Sequence, residues 1–252
     1  MDRFIKNLAK GAGAILRDGY NPLGTRTTVK TAKWDVVTKY DKLSEKYLVN
    51  KIRTKYPNHG ILSEESGSIK KANRFWILDP LDGTRDFARG IPSFAVTIGF
   101  IENNECIYGG IYVVMNDEFF FASKGHGAKL NNTRIRVNQN KEIEFAVGTT
   151  DVVPSYLSQD ARKKLNGFIF ANQIFDYTRL GGPVCLAYVA AGRLDFAISC
   201  GAYPWDLAAG SLIAVESGAK ISDLEGGEYR WNKREIIAAN PVLYSKIIKN
   251  LE

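Results

Sequence analysis

Two carboxylates stand three residues apart in the hexapeptide Asp79-Pro80-Leu81-Asp82-Gly83-Thr84. The apolar run 75–78 before it predicts a buried strand that stops at Asp79, and ligands commonly bind at such strand ends in α/β sheets. Pro80 lacks an N–H and has a fixed φ, so the chain turns at once and can leave the Leu81 carbonyl pointing outward. Gly83 and Thr84 would then begin a short helix, whose N–H groups suit a phosphate oxygen. Taken alone, the segment is equally well interpreted as an Asp-rich turn without chemistry.

Further acids lie at the ends of other predicted elements. Glu64 and Glu65 follow the apolar pair 61–62, and adjacent like charges repel unless one is solvated or a cation lies nearby. Asp206 stands at the start of a strongly apolar helix, where a helix cap is the common explanation. Asp35 and Asp41 form another pair, and Asp41 is also a good cap. Each of these acids is individually more often structural, and only their combination points to chemistry.

A metal ion at these acids would have oxygen ligands only. The two histidines, His59 and His126, are not spaced as metal ligands, and the three cysteines contain no C-x-x-C pair. An all-oxygen site indicates Mg²⁺, with Mn²⁺ as the alternative, rather than zinc. A calcium loop is not indicated, because Leu81 and Gly83 occupy alternate positions where such a loop needs ligands.

The elements that position these residues are predicted from apolar periodicity. Helices are predicted at 2–17, 41–56, 155–165, 183–191, 205–217 and 241–251. Strands are predicted at 75–78, 94–101, 106–114, 118–122, 145–149, 194–199 and 236–239. In the second helix, the side chains expected to face inward are Leu43, Tyr47, Leu48 and Ile52. The change from a strand meander to alternating strands and helices predicts two parts: an N-terminal α+β part, 1–140, with most of the metal ligands, and a C-terminal α/β part, 141–252, with Asp206 and the substrate pocket.

Composition excludes several classes of protein. The 252 residues are 45% hydrophobic and 24% charged, which is ordinary for a globular chain. No apolar run approaches the roughly 20 residues that span a bilayer, so no membrane association is expected. The three cysteines are far apart, which argues against a disulfide framework and favours a cytoplasmic protein. The net charge of +7 comes from scattered lysines without interleaved aromatic residues, so a nucleic-acid partner is not expected.

Four separated motifs occur in a fixed order along nearly the whole chain. They are Asp35-x-Val37-Thr38-x-x-Asp41, Glu64-Glu65, Asp79-Pro80-Leu81-Asp82-Gly83-Thr84 and Trp205-Asp206-x-Ala208-Ala209. Two glycine-containing segments, 125–132 and 189–195, fit the same pattern. The combination resembles the inositol monophosphatase family. That family belongs to the lithium-sensitive, magnesium-dependent phosphatases, together with fructose-1,6-bisphosphatases and 3′-phosphoadenosine phosphatases.

The resemblance implies a fold, a set of ligands and a reaction. The fold would be the layered α-β-α-β-α sandwich of the sugar phosphatases, usually a homodimer. The first magnesium ion would be bound by Glu64, Asp79 and the Leu81 carbonyl, and the second by Asp79, Asp82 and Asp206. A third, weaker ion would lie between Glu64 and Asp41. Thr84 and Glu64 would orient the attacking water, and the Gly83 and Thr84 amides would hold phosphate. The substrate would also meet Gly181, Gly182 and Ser199.

The alcohol half of the substrate is less well indicated. Gly83-Thr84-Arg85-Asp86-Phe87 is closer to the histidinol-phosphate and phosphoadenosine branches than to the usual Gly-Thr-Thr-Asn-Phe. Gly181-Gly182-Pro183-Val184 replaces the usual Gly-Ser/Thr-Ala-Ala, and Ser199 replaces the glutamate that holds inositol hydroxyls. Inositol-1-phosphate or a related sugar phosphate is the expected substrate. Histidinol phosphate, fructose-1,6-bisphosphate and 3′-phosphoadenosine 5′-phosphate are the alternatives.

Two other classes compete with this assignment. A haloacid-dehalogenase type phosphatase needs Asp-x-Asp-Gly-Thr, but here the first aspartate lies three residues before Asp82, with Pro80 inserted. That spacing would misplace a nucleophile and an acid. A protein that binds a phosphate metabolite without hydrolysis would be expected to lack a ligand, yet every expected acid is present.

Overall fold

A computed structural model describes residues 1–29, 36–70, 72–153, 155–171, 174, 176–178 and 180–251. The helices are α1 (Asp2–Gly19), α2 (Lys39–Lys55), α3 (Thr84–Ala88), α4 (Gln159–Ala171), α5 (Gly182–Ala190), α6 (Pro204–Glu216) and α7 (Pro241–Leu251), with a 3-10 turn at Ile143–Phe145. The strands are β1 (Thr28–Val29), β2 (Val36–Val37), β3 (Gly60–Ser63), β4 (Gly67–Lys70), β5 (Arg74–Asp82), β6 (Ala95–Glu102), β7 (Glu105–Val113), β8 (Glu118–Ser123), β9 (Ala128–Leu130), β10 (Thr133–Ile135), β11 (Val147–Val152), β12 (Asp176–Thr178), β13 (Phe196–Cys200), β14 (Lys220–Ser222) and β15 (Glu235–Ala239).

The first large sheet has eight strands in the order β10-β9-β8-β7-β6-β5-β3-β4. Its neighbours are antiparallel except β3 and β5, which run parallel. The carboxyl ends of β3 and β5 therefore meet at one edge, and the residues that follow them are brought together.

The second large sheet has five strands in the order β12-β11-β13-β15-β14. β12, β11 and β13 are parallel, whereas β15 is antiparallel to both of its neighbours. β1 and β2 form a separate antiparallel pair.

Helices and sheets alternate in five layers, as the packing of the apolar residues shows. α1 and α2 cover one face of the first sheet, where Leu8 and Ile52 pack with Trp76. α5 and α6 lie between the sheets: one apolar cluster joins them to the first sheet and another joins them to the second. α4 and α7 cover the outer face of the second sheet, where Phe168 packs on Phe196. The expected α-β-α-β-α sandwich is confirmed.

Most predicted elements are confirmed, with four corrections. The second helix begins at Lys39, because Thr38 rather than Asp41 occupies the cap position. Leu43 does not face inward: its side chain is 46% exposed. The strand before the hexapeptide does not stop at Asp79 but continues to Asp82. The helix predicted at 155–165 occupies Gln159–Ala171.

The division at residue 140 stays a prediction. Among the described helices, none is both long and apolar enough to cross a membrane.

Candidate active site

A β-bulge in β5 brings Asp79 and Asp82 to the same face of the sheet. On the neighbouring strand β6, Asp79 pairs with Thr97 and Asp82 pairs with Ala95, so three steps along β5 match two steps along β6. Side chains three apart on a regular strand point to opposite faces, and the extra residue cancels that alternation. Both aspartates therefore face α5 and α6.

Two hydrogen bonds fix the bulge. Pro80 has no N–H to leave unpaired, which suits an irregular position in a strand. Its carbonyl accepts a hydrogen bond from the buried Ser44 hydroxyl of α2 at 2.8 Å. The Leu81 N–H donates to Asp79 Oδ1 at 3.0 Å. The bulge is thus tied to the helix layer behind it as well as to its own aspartate.

Helix α6 delivers the third acid of the site. Tyr203 rather than Asp206 occupies the cap position of this helix. One carboxylate oxygen of Asp206 accepts a hydrogen bond from the Tyr203 N–H at 2.7 Å, as Asp41 does from the Thr38 N–H. The Thr97 hydroxyl donates to the Trp205 carbonyl at 2.7 Å. Since Thr97 pairs with Asp79 across the sheet, this bond holds the start of α6 directly against the bulge.

The three acids converge. Oxygen atoms of Asp79, Asp82 and Asp206, one from each, lie within 4.8 Å of one another. Asp79 is fully buried and the other two are half-buried. Burial raises the pKa of Asp79 and of Asp82 well above the ordinary value, and the charges of neighbouring carboxylates raise both pKa values further. Burial likewise raises the pKa of Asp206 from 3.8 to about 7, against the lowering effect of the Tyr203 hydrogen bond.

Glu64 adds a fourth carboxylate at the same sheet edge. It follows β3 directly, and its N–H donates to the Leu78 carbonyl of β5 at 3.2 Å. Its side chain lies within hydrogen-bonding reach of Asp79, and after burial its charge is the largest influence that raises the Asp79 pKa. Glu64 and Asp79 lie close together because β3 and β5 pair in parallel, with Ser63 opposite Leu78.

Asp41 is buried in the first turn of α2 and binds the Thr84 hydroxyl. Its Oδ1 accepts from the Thr84 hydroxyl at 2.8 Å, and its Oδ2 accepts from the Thr38 N–H and hydroxyl at 2.8 and 2.6 Å. Burial raises the Asp41 pKa, and these hydrogen bonds oppose the rise. The Thr84 hydroxyl also lies 3.0 Å from the Leu81 carbonyl. A hydroxyl has one hydrogen, so donation to Asp41 leaves its lone pairs as acceptors.

The glycines of the predicted site allow close approaches. Gly83 has φ +85°, a left-handed conformation, and a Cβ there would lie 2.7 Å from the Ser93 carbonyl oxygen. Gly181 lies beside Asp82: a Cβ on it would be 3.3 Å from Asp82 Oδ2. Gly182 is the first residue of α5 and is buried next to Asp206. Ser199 lies in the middle of the second sheet and is fully buried.

Sequence reasoning missed one acid near the site. Asp151, on β11, contributes to the raised pKa values of Asp82 and Asp206. It belongs to none of the four motifs, and its only signal was that an acid follows closely on the strand predicted at 145–149. Asp35, the first residue of the first motif, lies outside the described residues.

The residues present fit a bound divalent cation. Three carboxylates confined within 4.8 Å, with Glu64 against one of them, repel one another unless protons or a cation intervene. A nearby cation reverses this penalty, and a donor set of carboxylate oxygens suits a hard metal ion. The cluster can therefore hold a metal ion, with Asp79 at its buried end.

Comparison with known proteins agrees with the fold and identifies the family. The sequence model that describes the inositol monophosphatase family matches residues 1–252 of this chain. "Nus factor SuhB" of Pasteurella multocida is 34% identical over 97% of this chain and 92% of its own length. "Fructose-1,6-bisphosphatase/inositol-1-monophosphatase" of Thermotoga maritima is 34% identical over 87% of this chain and 84% of its own length.

Solved structures agree as well. The extragenic suppressor protein suhB of Bartonella henselae superposes with a TM-score of 0.92 at 33% identity, over 99% of this chain and 97% of that one. The IMPase of Thermotoga maritima gives a TM-score of 0.88 at 31% identity, over 100% and 97% of the two chains. A five-layer fold with an acidic cluster between its sheets thus defines a phosphoric monoester hydrolase. The chain belongs to the inositol monophosphatase family.

Proposed function

We propose that this chain hydrolyses a small phosphate monoester with Mg²⁺, and that inositol-1-phosphate or a related sugar phosphate is its substrate. One observation carries the proposal: three aspartates from two separate segments converge beside a threonine whose hydroxyl is held by a buried carboxylate. The carboxylate oxygens of the cluster can ligate a hard cation, and the threonine oxygen can accept a hydrogen bond from a water molecule. Both are needed for direct hydrolysis.

The proposed ligands are those that membership of the inositol monophosphatase family implies. Glu64, Asp79 and the Leu81 carbonyl would hold one ion, and Asp79, Asp82 and Asp206 would hold another. When bound, the cation would acidify a water molecule and offset the negative charge of the phosphate. Mn²⁺ is the alternative metal, because the same oxygen ligands accept it.

The protein's own groups would position the water and the phosphate. Thr84 donates its hydrogen to Asp41, so its oxygen can accept a hydrogen from the attacking water and fix its orientation. Glu64 would accept the second hydrogen of that water. The phosphate would lie against the start of α3, at Gly83 and Thr84. Phosphoryl transfer depends mainly on positioning and charge stabilisation, so this arrangement needs no covalent intermediate.

The experiment is a phosphate-release panel with the purified chain. Inositol-1-phosphate, fructose-1,6-bisphosphate, histidinol phosphate and 3′-phosphoadenosine 5′-phosphate are compared with Mg²⁺, Mn²⁺ or EDTA, with and without Li⁺. Release should require the metal, and D82N should abolish it while the fold persists. D117N, which changes an exposed acid of an ion pair with Lys10, is the matched control and should leave release unchanged. Metal-dependent release by D82N at the wild-type rate would refute the proposal.

Two alternatives give different outcomes in the same experiment. A covalent phosphoenzyme would be trapped by acid quenching, whereas direct attack places oxygen from labelled water in the phosphate within one turnover. A phosphate-binding protein without catalysis would bind the esters in the presence of Mg²⁺ and release nothing. The complete set of acids favours hydrolysis for this chain.

A further inference from the structure

Asp151 lies on the second sheet at the level of Ser199. The two residues are register partners on the parallel strands β11 and β13. Register partners point to the same face of a sheet, and this face is the one covered by α5 and α6, where the neighbouring Ala197 packs. Asp151 is half-buried, so part of it faces solvent, whereas Ser199 is fully buried.

The Asp151 carboxylate lies across the start of α5 from the acidic cluster. Gly182 lies between Asp151 and Asp206. An ideal Cβ on Gly182 would be 3.5 Å from Asp151 Oδ2 and 3.8 Å from the Asp206 Cβ. The charge of Asp151 accordingly raises the pKa of Asp206 and of Asp82, after burial and other carboxylates. Yet Asp151 is not one of the three acids whose oxygens converge. It stands beside the metal ligands, on the side of the second sheet.

Ser199 supplies an independent sign that polar groups are bound here. Its hydroxyl is fully buried and has no hydrogen-bond partner among the described residues. A buried hydroxyl without a partner is costly, which points to a polar group that enters the space beside it. Asp151 is its register partner, so the two side chains present one polar surface to that space.

We propose that Asp151 is a specificity-determining residue that accepts hydrogen bonds from hydroxyl groups on the alcohol half of the substrate. The inference rests on the proposed function and deepens it by assigning a residue that selects the alcohol half of the substrate. Hydrogen bonds from hydroxyls to an ionised carboxylate are stronger than those between neutral groups. The same carboxylate repels a second phosphate. The site therefore selects a hydroxyl-rich alcohol with one phosphate over a bisphosphate.

The test compares D151N and D151A with wild type on three esters in Mg²⁺: inositol-1-phosphate, phenyl phosphate and fructose-1,6-bisphosphate. Phenyl phosphate has no free hydroxyl on its alcohol half and reports the phosphate chemistry alone. Both variants should lower the kcat/KM ratio of inositol-1-phosphate to phenyl phosphate by about tenfold to a hundredfold, mainly through KM. The ratio of fructose-1,6-bisphosphate to inositol-1-phosphate should rise. D160N, an exposed acid at the start of α4, is the matched control and should change neither ratio.

Three results would overturn the inference. Equal losses on all three esters would mean that Asp151 acts only through the acidic cluster. Unchanged kcat/KM on every ester would mean that it does not meet the alcohol. Wild-type protein that hydrolyses none of the esters with Mg²⁺ would refute the proposed function and this inference with it, whereas hydrolysis with unchanged ratios would refute the inference alone. D151E should recover part of the preference for inositol-1-phosphate, because it restores the carboxylate.

Discussion

Replacing Thr84 with valine removes one hydroxyl and keeps the branched shape of the side chain. The lost group is the donor of the 2.8 Å hydrogen bond to Asp41 Oδ1, and under the proposed mechanism it is also the acceptor for the attacking water. Positioned groups that handle protons typically contribute about 10²- to 10⁴-fold to rate, so T84V should lower kcat by at least about a hundredfold. Substrate affinity should change much less.

The structure also sets the cost in stability. A hydrogen bond to a charged group contributes about 1.5–3 kcal/mol, so T84V should lower the free energy of unfolding by about that amount. Asp41 keeps its two hydrogen bonds from Thr38, so it is not left without donors. The loss is therefore small enough that the variant should still fold.

Thr38 offers a matched control, because it donates to the other oxygen of the same carboxylate. T38V removes the 2.6 Å hydrogen bond to Asp41 and also the cap that accepts from the Tyr40 N–H. Loss of a cap costs a further 1 kcal/mol or so, so T38V should be the less stable variant. It should nevertheless keep most of its kcat, since the Thr38 hydroxyl contacts Asp41 Oδ2 and the Tyr40 N–H, and the proposed mechanism gives it no role.

The assay combines urea unfolding with steady-state phosphate release in Mg²⁺, at a temperature where both variants are fully folded. The two variants should rank oppositely in the two measurements: T84V should be the slower enzyme and T38V the less stable protein. If T84V turned over at the wild-type rate, or if T38V lost as much kcat as T84V, the assigned role of the Thr84 hydroxyl would be wrong.

Three further predictions concern the scaffold of the site. Burial raises the pKa of Asp206 from 3.8 to about 7, so the folded state binds more protons than the unfolded state between these pH values. Metal-free protein should therefore lose stability as the pH rises from about 4 to about 7, and Mg²⁺ should reverse the loss. Thermal unfolding measures both effects. S44A leaves the buried Pro80 carbonyl without its donor and should cost about 1–3 kcal/mol, with weaker metal affinity by calorimetric titration. G109A places a Cβ 2.7 Å from the Ala209 carbonyl oxygen, so it should displace α6, cost about 1–3 kcal/mol in urea unfolding and lower kcat.

The two substitutions have matched control variants. S245A removes a similar hydrogen bond, from a hydroxyl to the Pro241 carbonyl, on the exposed surface, and should leave metal affinity unchanged. G167A lies in α4 with nothing within 4 Å of the added Cβ, so it should raise stability by about 0.5–1 kcal/mol. Metal-free protein that gains stability between pH 4 and 7 would contradict the first prediction. Wild-type metal affinity in S44A, or wild-type stability in G109A, would contradict the other two.

The sequence by itself determined the helices with strong apolar periodicity and the chemistry of the acids. α1, α5, α6 and α7 lie within a few residues of their predicted bounds, because a helix that buries one or all of its faces must repeat apolar residues at helical spacing. The order of the acidic motifs indicated the family, and with it the layered fold. The residue types also indicated an oxygen-ligand site, because the ligand preference of a metal depends on the donor atom rather than on the fold.

Only the tertiary structure decided how the acids meet. The bulge that turns Asp79 and Asp82 to one face depends on the pairing of β5 with β6, since a β-bulge is an extra residue in one strand relative to its partner strand. Asp206 joins them because α6 is tied to that same strand by Thr97. Asp151 has no local motif, and its position beside the site follows from the register of β11 with β13. The spacing of residues along the chain does not predict such contacts, because they depend on pairing and packing between distant segments.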